Sequence, residues 1–198
     1  MEERLAEVWQ SVWTMLAAGR DSRRHPFHTP ALATIAAQGF PEVRTVILRY
    51  VDPESGEIGA QADARSEKIG SILAEPRVEW HFYSPDEKRQ VRARGVCHLH
   101  QQDDLARAAW QKVAALSRRC YLSTIAPGER TDDWTPGFDA EWANREPTWE
   151  ESEAGFAHFV VIRTRLHWVD VLDLEFTGHR RSQFERRDNV WHGFYAAP

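Results

Sequence analysis

Arg44, Arg65, Ser66 and Lys68 carry the chemistry needed to hold a phosphate, and their spacing is informative. The stretch from Arg44 to Gly95 contains Arg44-Thr45-Val46-Ile47-Leu48-Arg49, then Asp63-Ala64-Arg65-Ser66-Glu67-Lys68, then Arg89-Gln90-Val91. In the second piece Ser66 stands where a helix would start. Free backbone N–H groups there point at an anion, and the helix dipole adds favourable potential. Arg65 and Lys68 supply charge, Ser66 supplies a hydroxyl, and the Arg44 guanidinium can reach the same group with its fork of donors. Taken alone, the hexapeptide reads more readily as a capped helix flanked by solvated cations.

The elements that must position these residues follow from apolar spacing. Leu5, Val8, Trp9, Val12 and Leu16 repeat at helical intervals, which predicts an amphipathic helix over Glu2–Ala18 with Gly19 at its C-terminal cap. Strands are expected at Ala31–Ala37 and Val43–Val51, joined by a turn at Gln38–Pro41. The second has apolar residues on both faces and reads as a central strand. A hairpin turn at Asp52–Gly56 leads to a strand at Glu57–Ala62, and a short helix after Ser66 ends at Pro76. Strands follow at Val78–Tyr83 and Lys88–His100. Asp103 or Asp104 should cap a helix with Leu105, Ala108, Ala109, Val113 and Leu116 on one side. Pro127–Ser152 reads as an ordered irregular loop. A strand at His158–Asp170 and a hairpin, Gln183–Arg187 with Val190–Tyr195, complete the chain. Dominant strands with short turns predict an antiparallel barrel carrying a few helices.

At 198 residues with 42% apolar and 28% charged residues, the chain fits one soluble globular domain, 1–198. A net charge of −5 argues against a nucleic-acid partner. The local basic runs at Lys88–Arg94 and Arg180–Arg187 suggest a small anionic ligand instead. No apolar run reaches membrane-spanning length and the N-terminus has no signal-peptide pattern, so a cytoplasmic protein without a membrane partner is expected. His98 with His100 and His25 with His28 lack a third ligand, so no metal site is expected. Cys97 and Cys120 read as small buried residues. With nine tryptophans, some are expected at a ligand or subunit contact.

Together and in this order, the three pieces resemble the pyridoxamine 5′-phosphate oxidase family of FMN-binding split-barrel proteins. The resemblance implies a mainly β fold with flanking helices, an FMN-binding split β-barrel, and FMN as cofactor. It implies that Arg44, Thr45, Val46, Ile47 and Arg49 run beside the flavin, with Gln61 and Ala62 also in contact. Arg44, Arg65, Ser66 and Lys68 would hold the phosphate and Gln90 would meet the ring's polar edge. A late arginine, Arg187 or alternatively Arg186, would close the site, with Ala126 and Pro127 nearby. It also implies a homodimer with FMN at the subunit interface.

The departures concern the substrate. Where the vitamin-B6 oxidases of the family hold substrate phosphate with lysine, tyrosine, arginine and serine, this chain has Arg49, Ala109, Val113 and Ser117. Arg49 and Ser117 remain as substrate-binding candidates, while the tyrosine and arginine are gone. Ala109 and Val113 read as the buried face of a helix, so the B6-phosphate site looks dismantled. The expected function is an FMN-dependent oxidoreductase acting on a small molecule through an altered substrate site. Flavin does the redox chemistry, so no catalytic side chain is assigned. The alternatives are a non-catalytic flavin-binding or electron-relay module, or a relative that binds haem or a deazaflavin.

Overall fold

The computed structural model describes residues 1–198. Its first helix, α1, spans Glu3–Asp21 and buries Leu5, Val12, Trp13, Met15 and Leu16. The helix runs past the predicted cap for a packing reason. Gly19 is not a terminator but a buried contact: a Cβ there would lie 2.8 Å from Phe27. The helix end is held instead by the buried His28, whose Nδ1 lies 2.7 Å from the Gly19 carbonyl oxygen.

Nine strands form one antiparallel sheet: β1 (Ala31–Ile35), β2 (Pro41–Thr45), β3 (Tyr50–Asp52), β4 (Glu57–Asp63), β5 (Arg77–Ser84), β6 (Arg89–His100), β7 (Phe159–Asp173), β8 (Arg180–Arg187) and β9 (Val190–Ala196). Their order is β2-β1-β5-β6-β7-β4-β3, with β8 on β7 and β9 on β8. The final hairpin turns through Asp188 and Asn189, both at positive φ, a conformation these residues tolerate better than most.

The largest departure from expectation is the stretch Val43–Val51. It is not one central strand. Its first part ends β2 at one edge of the sheet and its last part begins β3 at the other edge. Between them Val46 N donates to Pro30 O (2.9 Å), Leu48 N to His28 O (2.9 Å) and Arg49 N to Gly59 O (2.8 Å). Residues 46–49 therefore stitch the two edges, which closes the sheet into a split barrel. Val46 and Leu48 are buried in its interior, which explains the apolar character that resembled a central strand. Gly59, whose carbonyl accepts from Arg49 N, also lies tight against β7: a Cβ there would sit 2.4 Å from the Ile162 carbonyl oxygen.

Helix α2 (Glu67–Ala74) follows β4, and α3 (Asp104–Trp110) and α4 (Ala115–Arg118) follow β6. The single helix expected after Asp103 is broken at 111–114. Its buried face is Ala106 and Trp110, while Leu116 is exposed. The Arg118 guanidinium explains the break. It donates to the carbonyls of Trp110 (2.7 Å) and Val113 (3.0 Å) while lying between the Trp110 and Trp149 rings. The terminal carbonyls thus find partners without continuing the helix. Within the irregular 127–152 region lie α5 (Ala140–Asn144) and α6 (Trp149–Ser152), the latter fixed by a Thr148–Glu151 capping box. Trp134 and Trp149 are exposed, whereas Trp80 and Trp110 lie fully inside. Cys97 is buried against Thr164 and its thiol is pushed up to about 11, but Cys120 is exposed, contrary to expectation. No helix is long and apolar enough to cross a membrane.

Candidate functional site

The sheet brings the first two sequence pieces together. Arg44 pairs with Leu32 across β1–β2, and its guanidinium donates to Thr34 Oγ1 (2.6 Å), Glu42 Oε2 (2.9 Å) and two backbone carbonyls. Lys68, in the first turn of α2, donates to Ser66 Oγ at 2.9 Å and has no carboxylate partner. Burial and the nearby Arg44 charge both depress the Lys68 ammonium below its ordinary value of 10.5, against a weaker opposing pull from Asp63. Two cations thus lie close enough to disfavour each other, and Lys68 lacks a counter-ion while Arg44 is paired with Glu42.

The other cradle residues orient rather than neutralise. Ser66 takes the N-cap position of α2 but does not cap it with its side chain; its hydroxyl donates to Asp63 O at 2.7 Å. Arg65 is held by Asp63 in a two-point ion pair and donates to Ser123 O at 2.9 Å. That last bond ties Ser123, three residues before Ala126, to the turn ahead of α2. Thr45 ends β2, and Val46, Ile47 and Arg49 lie in the barrel-closing segment. Arg49 N bonds this segment to Gly59 O of β4, the strand that carries Gln61 and Ala62.

Lys68→Gln tests the strain in this pair. A depressed folded-state pKa means that the folded chain binds fewer protons than the unfolded one. Lys68 therefore costs stability at neutral pH, and this cost fades as pH rises towards 10.5. In ligand-free protein Lys68→Gln is expected to raise Tm at pH 7, with the difference from wild type shrinking as pH rises. Thermal melts across that range check this; an unchanged or lowered Tm at pH 7 would contradict it.

Gln90 and the late arginines do not join the cradle within one chain. Gln90 pairs with Leu172 and Gln61 with Val161, so eleven residues of β7 separate their partners. That is roughly 36 Å of strand at ~3.3 Å per residue. Gln90 Oε1 lies 3.2 Å from His81 Nε2. Arg187 is exposed and paired with Glu185, whereas Arg186 donates to Ser55 O at the far end of β4 (2.6 Å).

Arg49 and Gln61 open instead onto a cavity of about 440 Å³ that Ser117 also lines. Ala109 and Val113 form part of its apolar wall, so they are cavity residues and not simply a buried helix face. Sequence reading missed four further cations on this cavity: Arg20, Arg23, Lys112 and Arg163. They come from the end of α1, the link after α3 and the middle of β7, so no local run betrays them. The conspicuous basic runs are largely spent in ion pairs: Arg89 with Asp173, Arg92 and Arg181 with the buried Asp170, and Arg94 with Glu79. No group of three or more metal-ligating side chains is assembled.

Residues 6–101 match the model of the family described as "Pyridoxamine 5'-phosphate oxidase, FMN-binding domain". Over those residues, just under half of the chain, it is similar to that FMN-binding domain. FMN is accordingly the cofactor, through the matched domain. The split-barrel fold extends over the whole chain. A pyridoxamine 5′-phosphate oxidase-related, FMN-binding protein from Nostoc punctiforme is similar over 96% of this chain and 97% of its own, with TM-score 0.76 and 21% identity. PhzG from Burkholderia lata, solved with tetrahydrophenazine-1-carboxylic acid, is similar over 100% and 94%, with TM-score 0.71 and 17% identity. A protein related to general stress protein 26 from Clostridium acetobutylicum reaches TM-score 0.52 at 8% identity, over 96% and 94%. At these identities the likeness is one of fold. A search of curated proteins finds no match.

Proposed function

We propose that the protein is a homodimeric, FMN-dependent oxidoreductase of one domain, 1–198, whose substrate site differs from that of the B6 oxidases. The observation that carries this reading is the Arg44–Lys68 pair, two mutually unfavourable cations at the start of α2 with no carboxylate on Lys68. A phosphate monoester fits there. Lys68 and Arg44 would hold it by charge, Ser66 would orient Lys68, and the Arg65–Asp63 pair would fix the turn. When bound, FMN supplies the hydride and electron chemistry. The chain's own part is to line the ring with Thr45, Val46, Ile47, Arg49, Gln61 and Ala62, and to exclude water through Val46. Arg49 and Ser117 would meet the substrate in the adjoining cavity. Gln90 and Arg187 would reach the flavin from the other subunit.

The purified protein should be yellow, or become so with added FMN, and reduction by NADH, NADPH or another donor should bleach it. A bound flavin that no reductant in a broad panel reduces would favour the non-catalytic module.

Pyridoxine and pyridoxamine 5′-phosphates are expected to be poor substrates. Ala109 and Val113 offer no donor, and each lost charge-assisted contact removes roughly 1.5–3 kcal/mol. Turnover and affinity of FMN-loaded protein with both compounds check this; rapid oxidation at micromolar concentration would refute it.

A further inference from the structure

The cavity beside Arg49 holds more positive charge than one phosphate can balance. Arg20 is ion-paired with Asp21 and donates to Val51 O, so it is largely accounted for. Arg23, Arg49, Lys112 and Arg163 form no ion pair, and no Asp or Glu lines the cavity. Arg49 and Arg163 are both held below the ordinary guanidinium range, chiefly by burial; Arg23 adds repulsion at Arg49. Arg163 lies on the Tyr50 ring with its Nε buried and without an acceptor, and Asp52 and Glu57 act on it only from a distance.

These four cations come from separate elements. Arg163 packs beside Gly59, to whose carbonyl Arg49 N donates, and Arg23 acts on Arg49, so three of them gather at one end. Lys112 enters from the link after α3, next to the apolar wall of Leu105, Ala109, Val113 and Val161. Arg23, Arg49 and Lys112 are exposed and Arg163 is half-buried, so the need for a compensating anion is greatest at Arg163, whose buried Nε has no acceptor. A dianionic group balances two charges and leaves two. The wall demands an apolar body between the anionic ends.

We infer that this cavity takes an organic anion with two separate acidic groups, carboxylate or phosphate, on a compact apolar body. This deepens the proposed function by naming its substrate class and rests on that reading only for the claim that the ligand adjoins the flavin.

The test uses calorimetry on the full chain, with and without FMN. The probes are terephthalate, 4-carboxyphenyl phosphate, phenyl phosphate, benzoate and benzamide. Both doubly acidic probes should bind at least tenfold more tightly than phenyl phosphate or benzoate, and benzamide least of all. The tighter of the two identifies the second acidic group. Lys112→Gln, on an exposed link, should weaken both about tenfold while leaving FMN affinity unchanged; Arg163→Gln should do the same. Equal affinity for benzamide and terephthalate, or for phenyl phosphate and 4-carboxyphenyl phosphate, would overturn the inference. So would undiminished binding in Lys112→Gln. Binding by FMN-free protein tests the cavity alone, whereas a shift of the flavin spectrum on adding terephthalate tests its position beside the ring. The first can therefore succeed while the second fails.

Discussion

FMN is expected to bind this protein on the order of 10²–10⁴ times more tightly than riboflavin. The difference is the phosphate, for which Arg44 and Lys68 each provide a charge-assisted contact of roughly 1.5–3 kcal/mol, or about 3–6 kcal/mol together. Arg44→Ala and Lys68→Ala should each weaken FMN binding by roughly 10- to 150-fold. They should differ in one respect. Arg44 also ties β2 to β1 through Thr34 and Leu32, so its loss should lower Tm as well as affinity. Lys68 makes only the bond to Ser66, so affinity falls while the fold holds. FMN affinity should also decline with rising pH from below the ordinary lysine value of 10.5, because the free protein's Lys68 loses its proton early. Fluorescence titration with FMN and riboflavin, across pH and for both variants, measures all of this. Equal affinity for the two flavins would remove the cradle assignment.

The second large effect is dependence on a partner chain. Some 36 Å of strand separates Gln90 from the Gln61 region at ~3.3 Å per residue, too far for one flavin to touch both ends of the same β7. Arg187, at the far end of β8, is likewise away from the cradle. If both meet the flavin, they do so from a second copy. Mixing two defective chains makes the consequence measurable. Arg44→Ala and Gln90→Ala homodimers should each bind FMN weakly, because every site carries one defect. A mixed dimer has one site with both defects and one with neither, so refolding the two chains together should restore tight binding to about one site per mixed dimer. No recovery on mixing, or a light-scattering monomer that binds FMN tightly, would show that each site belongs to one chain.

Local pattern made much of the framework legible. The alternation in Val78–Tyr83, the valine-rich run after His158 and the Asp188-Asn189 turn all specify strands and a hairpin through neighbouring residues alone. Ser66 and Pro76 likewise bracket α2 within a few residues. The Asp63–Lys68 hexapeptide alone reads as a capped helix, and it suggests an anion site only together with the Arg44–Arg49 stretch and Arg89–Val91. What could not be read locally depends on contacts between distant segments. The run Val43–Val51 is apolar on both faces, and only barrel closure decides that it crosses between edges instead of lying at the centre. Gly19 resembles a cap until Phe27 packs on it. Basic runs stand out in sequence, yet most of their charges are cancelled across the sheet. The cations left without partners, Arg23, Arg49, Lys112 and Arg163, are scattered along the chain and gather only when α1, the closing segment, the link after α3 and β7 meet around one cavity. Charge can be counted along a sequence, but whether a charge is paired is set by what folds against it.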